Sequence, residues 1–385
     1  MAATATAEDT DRKRKTFNDV KDPNYAHIRV LMQRPFVAWP TVLLFCFLLC
    51  LWLFSVALGT GALELFLRQN NYVASDGNHY AFARNILSSS EEETKSWLSL
   101  LSPEGERSMT GGVVQPQPSW KLTVLCLILS SVASFGMFTV LHDSAHRSVS
   151  QVRFLNDLFG SLSMMFLGPF VSFDAFRWVH LRHHKYTNDP QKDPDMWASR
   201  GSGALAGVVL PLKWASPEIH YYYSYLPILF TQRPKSEILT TVGTIFALVS
   251  MTVTLSSMGY FSPLFQFWIL PSRIAIFFLA FSFDYLPHQP HSVTNDEDRF
   301  RTTFYLSSAG LIRPFLSLVM LYQNYHVIHH LYPLVPFYRY KQMWHYKKDS
   351  LIYDKDVPFR RLFRLFGEED LSDRRQASSR KEKSS

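Results

Sequence analysis

Only 3 cysteines occur in the 385 residues, at Cys46, Cys50 and Cys126. All three fall inside long apolar runs, so no disulfide framework is implied and a thiolate metal site is disfavoured. The zinc-protease strings His-Glu-x-x-His and His-x-x-Glu-His are absent. No Glu-x-x-His pair occurs, which removes a carboxylate-rich di-iron bundle. The one glycine cluster, Gly201 to Gly207, lacks the spacing and lysine of a phosphate loop. The net charge is +7, yet the basic residues flank apolar runs and fill the tails instead of alternating with aromatics along a groove, so nucleic acid is not an expected partner. The polar first 35 residues match neither a secretory signal nor a transit peptide.

What is present is apolar sequence gathered into runs. Phe36 to Leu58 and Leu122 to Leu141 carry no charge, while Ile238 to Leu255 and Leu264 to Phe283 contain only Arg273. Each approaches the roughly 20 residues a helix needs to cross a bilayer. The expected fold is therefore all-α and integral to the membrane, with about four transmembrane helices and a cytosolic helical cap. Phe154 to Phe173, Ala204 to Leu212 and Leu306 to Leu321 are shorter or more polar and read as helices at the membrane surface or tucked against the spans. Seven basic residues from Arg12 to Arg34 precede the first run, whereas the segment from Gly59 to Trp120 carries Glu91, Glu92, Glu93, Glu104 and Glu106. The positive-inside tendency puts both termini in the cytosol. Three regions follow: a basic segment 1–35, a membrane domain 36–345 and a charged tail 346–385.

Ten of the 14 histidines lie in four groups. These are His142 and His146; His180, His183 and His184; His288 and His291; and His326, His329 and His330. With four crossings, all the groups emerge on one face of the membrane. Residues spaced i, i+3 and i+4 are neighbours on one helix face, with β-carbons about 5–6 Å apart. One such face would present two or three imidazoles to a common point. A lone histidine at a span end is more often a cap than a ligand, but four ligand-spaced groups on one face are not explained that way. Imidazole is a good ligand for iron, zinc and copper, and eight to ten are too many for one ion. Two metals are expected. His27, His79, His220 and His345 stand outside the groups and read as ordinary surface or packing residues.

His142-x-x-x-His146, His180-x-x-His183-His184 and His326-x-x-His329-His330 resemble the three histidine boxes of the membrane fatty-acid desaturase and hydroxylase superfamily. Three further strings resemble the cyanobacterial-type β-carotene ring hydroxylases: Thr187 to Pro190 with Asp193 and Asp195, Asp284 to His291, and Gln323 to Tyr340. The resemblance covers roughly residues 142–340. It implies two non-haem iron ions held by the boxed histidines, with His288 or His291 completing the set and Asn324 reaching iron through water. It also implies O2 as co-substrate. Asp143, Asp189, Asp193 and Asp195 would then orient ligand imidazoles, although turn and cap roles explain such residues equally well.

The implied activity is oxidation of an unactivated C–H bond in a long lipid. Hydroxylation of a carotenoid β-ring is the favoured substrate reading, and desaturation of fatty acids, glycerolipids or sphingolipids is the alternative. The C-terminal Lys381-Glu-Lys383-Ser-Ser385 resembles a retrieval signal of the endoplasmic reticulum, which favours the alternative. A metal transporter would instead place ionisable residues within the spans. No His-Pro-Gly-Gly haem string occurs, so electrons are expected from a separate donor such as cytochrome b5 or a ferredoxin.

Overall fold

The computed structural model describes residues 22–61, 120–199, 206–289, 291–306 and 312–351. The described residues are helical, with one isolated β-bridge between Val37 and Ser150. Three helices are long and apolar enough to cross a membrane: Trp39–Gly59, Trp120–Ala145 and the 54-residue run Lys235–His288. The acidic segment before Trp120 and the tail with Lys381 and Lys383 lie outside the described residues.

Helix α1 (Tyr25–Met32) precedes α2 (Trp39–Gly59). Phe36, Trp39, Leu43 and Phe47 on and before α2 are exposed, as expected for side chains that meet lipid rather than protein. Helix α3 (Trp120–Ala145) is the central one, buried along most of its C-terminal half. It packs closely on α2 because Gly136 leaves room for Leu48, whose methyl carbons lie 2.8 Å from where a β-carbon would stand. The Ser55 hydroxyl adds polar links across this contact, donating to the Cys126 carbonyl at 2.8 Å and lying 2.9 Å from the Ser130 hydroxyl. In a bilayer, small residues and interhelical hydrogen bonds replace the hydrophobic drive for helix association.

Helix α4 (Arg153–Met165) buries Asn156, Gly160 and Ser163 and exposes Phe154, Leu158 and Leu162, a stripe at i, i+4 spacing that suits a helix lying along an apolar surface. Helix α5 (Phe173–Tyr186) starts at Ser172, whose hydroxyl accepts the Ala175 amide. Two helices, α6 (Ala206–Ala215) and α7 (Pro217–Gln232), lead to α8 (Lys235–Leu255).

The 54-residue run is not one rod. A straight helix of that length would extend about 80 Å at 1.5 Å per residue. Yet both of its ends touch the 14-residue α5: the Thr240 hydroxyl donates to Asp174 at 2.5 Å, and the His288 ring lies 4.7 Å from that of His183. The run therefore reverses, and the non-helical turn sits at Gly259, with φ 89°. Its returning limb includes α9 (Leu270–Leu279) and a π-helical turn at Ala280–Tyr285. The sequence divides this stretch into two spans at the same place.

Beyond it, α10 (His326–Leu331) and α11 (Tyr340–Leu351) form a second core with α1 through Ile28, Ile328, Tyr340 and Met343. His27 stacks on Tyr346 at 5.1 Å, and buried Lys347 pairs with Asp22 at 2.9 Å. The segments on either side of residues 35 and 345 thus pack on each other, across the limits expected from composition.

Candidate metal centre

Four elements deliver the imidazoles. The C-terminal end of α3 presents His142 and leads to His146, α5 presents His180, His183 and His184, the end of the returning limb presents His288, and α10 presents His326, His329 and His330. Their ring nitrogens converge in two groups. His142, His146, His180 and His329 form one, and His183, His288, His326 and His330 form the other, each with its ligand atoms within 4.8 Å of one another. His184 joins His329 and His330 in a third, overlapping set between them.

The short contacts separate a cation site from a hydrogen-bonded cluster. In the first group Nε2 atoms meet Nε2 atoms in an unbroken series: His142 to His329 at 2.9 Å, His329 to His184 at 2.7 Å, His184 to His180 at 3.2 Å and His180 to His146 at 2.7 Å. A neutral ring nitrogen is either a donor of one hydrogen or an acceptor. Five atoms in a row therefore cannot make hydrogen bonds at all four contacts. Two nitrogens bound about 2.1 Å from one ion at right angles lie about 3.0 Å apart, which matches the series. The second group repeats the spacing, with His326 Nε2 at 3.0 Å from His288 and 3.1 Å from His330.

Burial, followed by repulsion from neighbouring imidazoles, holds His180, His184, His329 and His330 well below the usual imidazole range. Burial likewise brings His146 and His326 down to about 3. These rings are neutral at pH 7, with lone pairs available to metal. His183 differs. Burial lowers its affinity for a proton, but Asp193 and Asp195 outweigh that and raise it to about 9. An all-imidazole donor set suits iron, copper or zinc.

Of the residues singled out from sequence, nine of the ten histidines enter the three sets, and His291 does not. The His291 backbone turns away at φ 60°, its ring centre lies 6.1 Å from that of His288, and its Nε2 is buried without a partner. Of the pair, His288 is the one that stands in a convergent set. Among the acids, Asp193 accepts from His183 Nδ1 at 2.9 Å, and Asp195 lies 3.6 Å from the same nitrogen.

Asp143 and Asp189 do not touch an imidazole. Asp143 accepts from the Thr41 hydroxyl at 3.1 Å and the Phe337 amide at 3.3 Å, which ties α2 and the segment after α10 to α3. Asp189 accepts from the Gln191 and Lys192 amides and shapes the turn after α5. The Asn324 side-chain amide donates to the Ser317 hydroxyl at 2.9 Å and leaves its Oδ1 buried without a partner.

Sequence reasoning missed Tyr340, whose hydroxyl lies 3.1 Å from His329 Nδ1, and Thr187, 3.4 Å from His330 Nδ1. Thr187 is one helical turn past His183 and was findable by spacing. Tyr340 was not, because Pro333 and Pro336 break the chain between it and His329.

Both imidazole groups border one cavity. His142 and His180 of the first and His183 and His326 of the second line it, with Phe138, Phe176 and Phe283 among its apolar walls. Its empty space, with the open solvent at its mouth included, is about 790 Å3.

The chain is similar in sequence to known proteins. Among similar proteins are the sn-1 oleoyl-lipid 12-desaturase of Synechocystis sp., 25% identical over 275 residues covering 64% of this chain and 74% of the relative, and the dihydrorhizobitoxine desaturase of Bradyrhizobium elkanii, 27% identical over 240 residues, 57% and 66%. A beta-carotene ketolase of Paracoccus sp. is 28% identical over 221 residues, 57% of this chain and 77% of the relative. The sequence pattern of the family named fatty acid desaturase matches residues 118–363, which hold α3, all four sources of imidazole and the cavity. This chain belongs to the fatty acid desaturase family.

Proposed function

We propose that this protein oxidises an unactivated C–H bond of a long lipid, using O2 and two iron ions, one in each imidazole group. The observation that carries the reading is that both groups border the same apolar cavity. A lipid C–H bond is neither acidic nor polarised, so side-chain acid–base or nucleophilic chemistry cannot break it; bound iron would supply the oxidation by O2. Phe138, Phe176 and Phe283 exclude water and hold the chain against the imidazole face. The nine imidazoles, seven of them buried, would hold the ions through their Nε2 atoms, and Asp193 fixes the orientation of His183.

The first substrate reading is a carotenoid β-ring, which is hydroxylated. It is supported by the strings around His288 and His326 and by the similarity to a carotene-modifying enzyme. The second is desaturation of an acyl chain, supported by the lipid desaturase among the similar proteins and by the retrieval-like tail. Electrons come from a separate donor, cytochrome b5 or a ferredoxin. In the four-crossing arrangement the reversal at Gly259 separates the last two spans, the imidazoles face the cytosol, and the membrane is that of the endoplasmic reticulum.

Expression in a bacterial host that makes β-carotene, together with a compatible reductase and donor, tests the substrate. Mono- and dihydroxylated pigments with unchanged acyl chains are expected. Unchanged pigment with new double bonds in acyl or sphingoid chains overturns the first reading in favour of the second.

A further inference from the structure

The two imidazole groups are alike in donor type and unlike in what stands behind them. Behind the group of His183, His288, His326 and His330 is a set of carboxylates. Asp193 accepts from His183 Nδ1 at 2.9 Å, and Asp195 lies 3.6 Å from that nitrogen. Asp193 and Asp195 are held in place: the Asn188 amide donates to Asp193 at 2.7 Å and the Asp195 amide at 2.9 Å. Asp195 and Asp284 both line the cavity.

Behind the group of His142, His146, His180 and His329 there is no counterpart. Among the described residues no carboxylate bonds to a ring nitrogen of this group. Its outer partner is a neutral phenol, Tyr340, at 3.1 Å from His329 Nδ1. Asp143, next in sequence to His142, is engaged with Thr41 and the Phe337 amide instead. His142 Nδ1 is buried with no partner, and so are His288 Nδ1 and His326 Nδ1 of the other group, so the contrast between the groups lies in the carboxylates at His183.

A carboxylate that accepts the outer N–H of a ligand imidazole fixes the ring and makes its metal-facing nitrogen a stronger donor. Negative charge beside a buried divalent cation also stabilises that cation more than it would in water. Both effects act on one group only.

We propose that the two ion positions are unequal in affinity, and that the one bounded by His183, His288, His326 and His330 holds its ion more tightly because Asp193 and Asp195 stand behind His183. The inference rests on the two-ion reading above and adds an order of loss to it. Asp193 and Asp195 act here through His183, as positioning residues.

The test uses the full-length protein, purified in detergent and reconstituted with iron. Iron is withdrawn with a chelator while metal content and the Mössbauer spectrum are followed. Two phases are expected, and the residual half-loaded protein shows a single doublet. His146→Ala removes a ligand from the first group only, so it keeps one ion with that same doublet. Asp193→Asn should speed the slow phase alone by about 10- to 100-fold, the usual effect of an outer partner. Asp195→Asn should do the same more weakly, and stands in if Asp193→Asn does not fold.

Loss of both ions in one phase from a fully loaded protein overturns the inequality. So does a carboxylate variant that speeds the fast phase. Failure of the two-ion reading shows differently, as fewer than two ions per chain before any chelator is added, and it removes this inference with it.

Discussion

Each imidazole at the centre has a separate geometric test, which makes the residue the scale at which the site is most open to refutation. His184 Nε2 lies within 3.2 Å of His180 and 2.7 Å of His329, so its loss leaves a gap between the two groups. Replacing His146, His184 or His329 with Ala is expected to abolish turnover and lower bound iron. His345→Ala should leave both near normal, because that ring packs beside Tyr346, outside the sets. Full turnover in any two of the three ligand variants would refute the assignment.

The sharper comparison is between His288 and His291, which the sequence leaves open. His288→Ala should lose iron and activity, whereas His291→Ala should retain two ions per chain, as read by elemental analysis. The boxes were legible because helical spacing alone makes neighbours of i, i+3 and i+4. The outer partners were legible only in part. An Asp in a Pro-rich turn looks the same whether it only caps amides, as Asp189 does, or also orients an imidazole, as Asp193 does. Only the tertiary fold decides which.

At the scale of elements, the helices that deliver ligands are as stable as their packing, and α3 is the one most exposed to disruption. It meets α2 where a β-carbon on Gly136 would stand 2.8 Å from the Leu48 side chain, and it ends in His142. Gly136→Val adds branched bulk to that contact and should cost about 1–3 kcal/mol, the usual range for overpacking. Gly243→Ala is the matching control, since nothing lies within 4 Å of its added carbon, and it should be neutral or stabilising by up to about 1 kcal/mol in a helix. Thermal unfolding in detergent, with iron content measured on the same samples, checks both. A Gly136→Val protein as stable as wild type would show that α2 and α3 are not held together there.

Helix existence was legible from apolar runs, but the helix expected over Phe154 to Phe173 ends at Met165, and a separate one begins at Phe173. The close approach at Gly136 was not legible, because a glycine in an apolar run signals small size without naming its neighbour. Nor was the π-helical turn at Ala280–Tyr285, where no proline or glycine marks the change of pitch. That turn sits between the apolar wall of the cavity and His288, as such turns often do near functional sites.

For the whole molecule, orientation in the membrane decides whether the imidazoles can share a compartment with a soluble electron donor. Three described helices are long and apolar enough to cross, and the third reverses at Gly259, so the arrangement proposed above has four crossings. Both ends of the reversed run lie beside α5, and so does α10, whose His330 ring stacks 4.2 Å from that of His184. An even number of crossings between α1 and α11 is also what their packing requires, since Ile28, Tyr340 and Met343 share one core. Charge then sets which side this is: the basic residues from Arg12 to Arg34 precede the first crossing, and the acid-rich segment from Gly59 to Trp120 follows it. In the proposed orientation, which follows the positive-inside tendency, the shared core and the imidazoles face the cytosol. In sealed microsomes carrying the full chain with a tag at each end, protease added outside should digest both tags and leave the segment between Gly59 and Trp120 intact. Adding detergent should expose that segment as well. Protection of the C-terminal tag alone would mean an odd number of crossings, which would separate α11 from α1 and contradict the core they form. Protection of both tags would keep the core and reverse the orientation, moving the imidazoles away from any cytosolic donor.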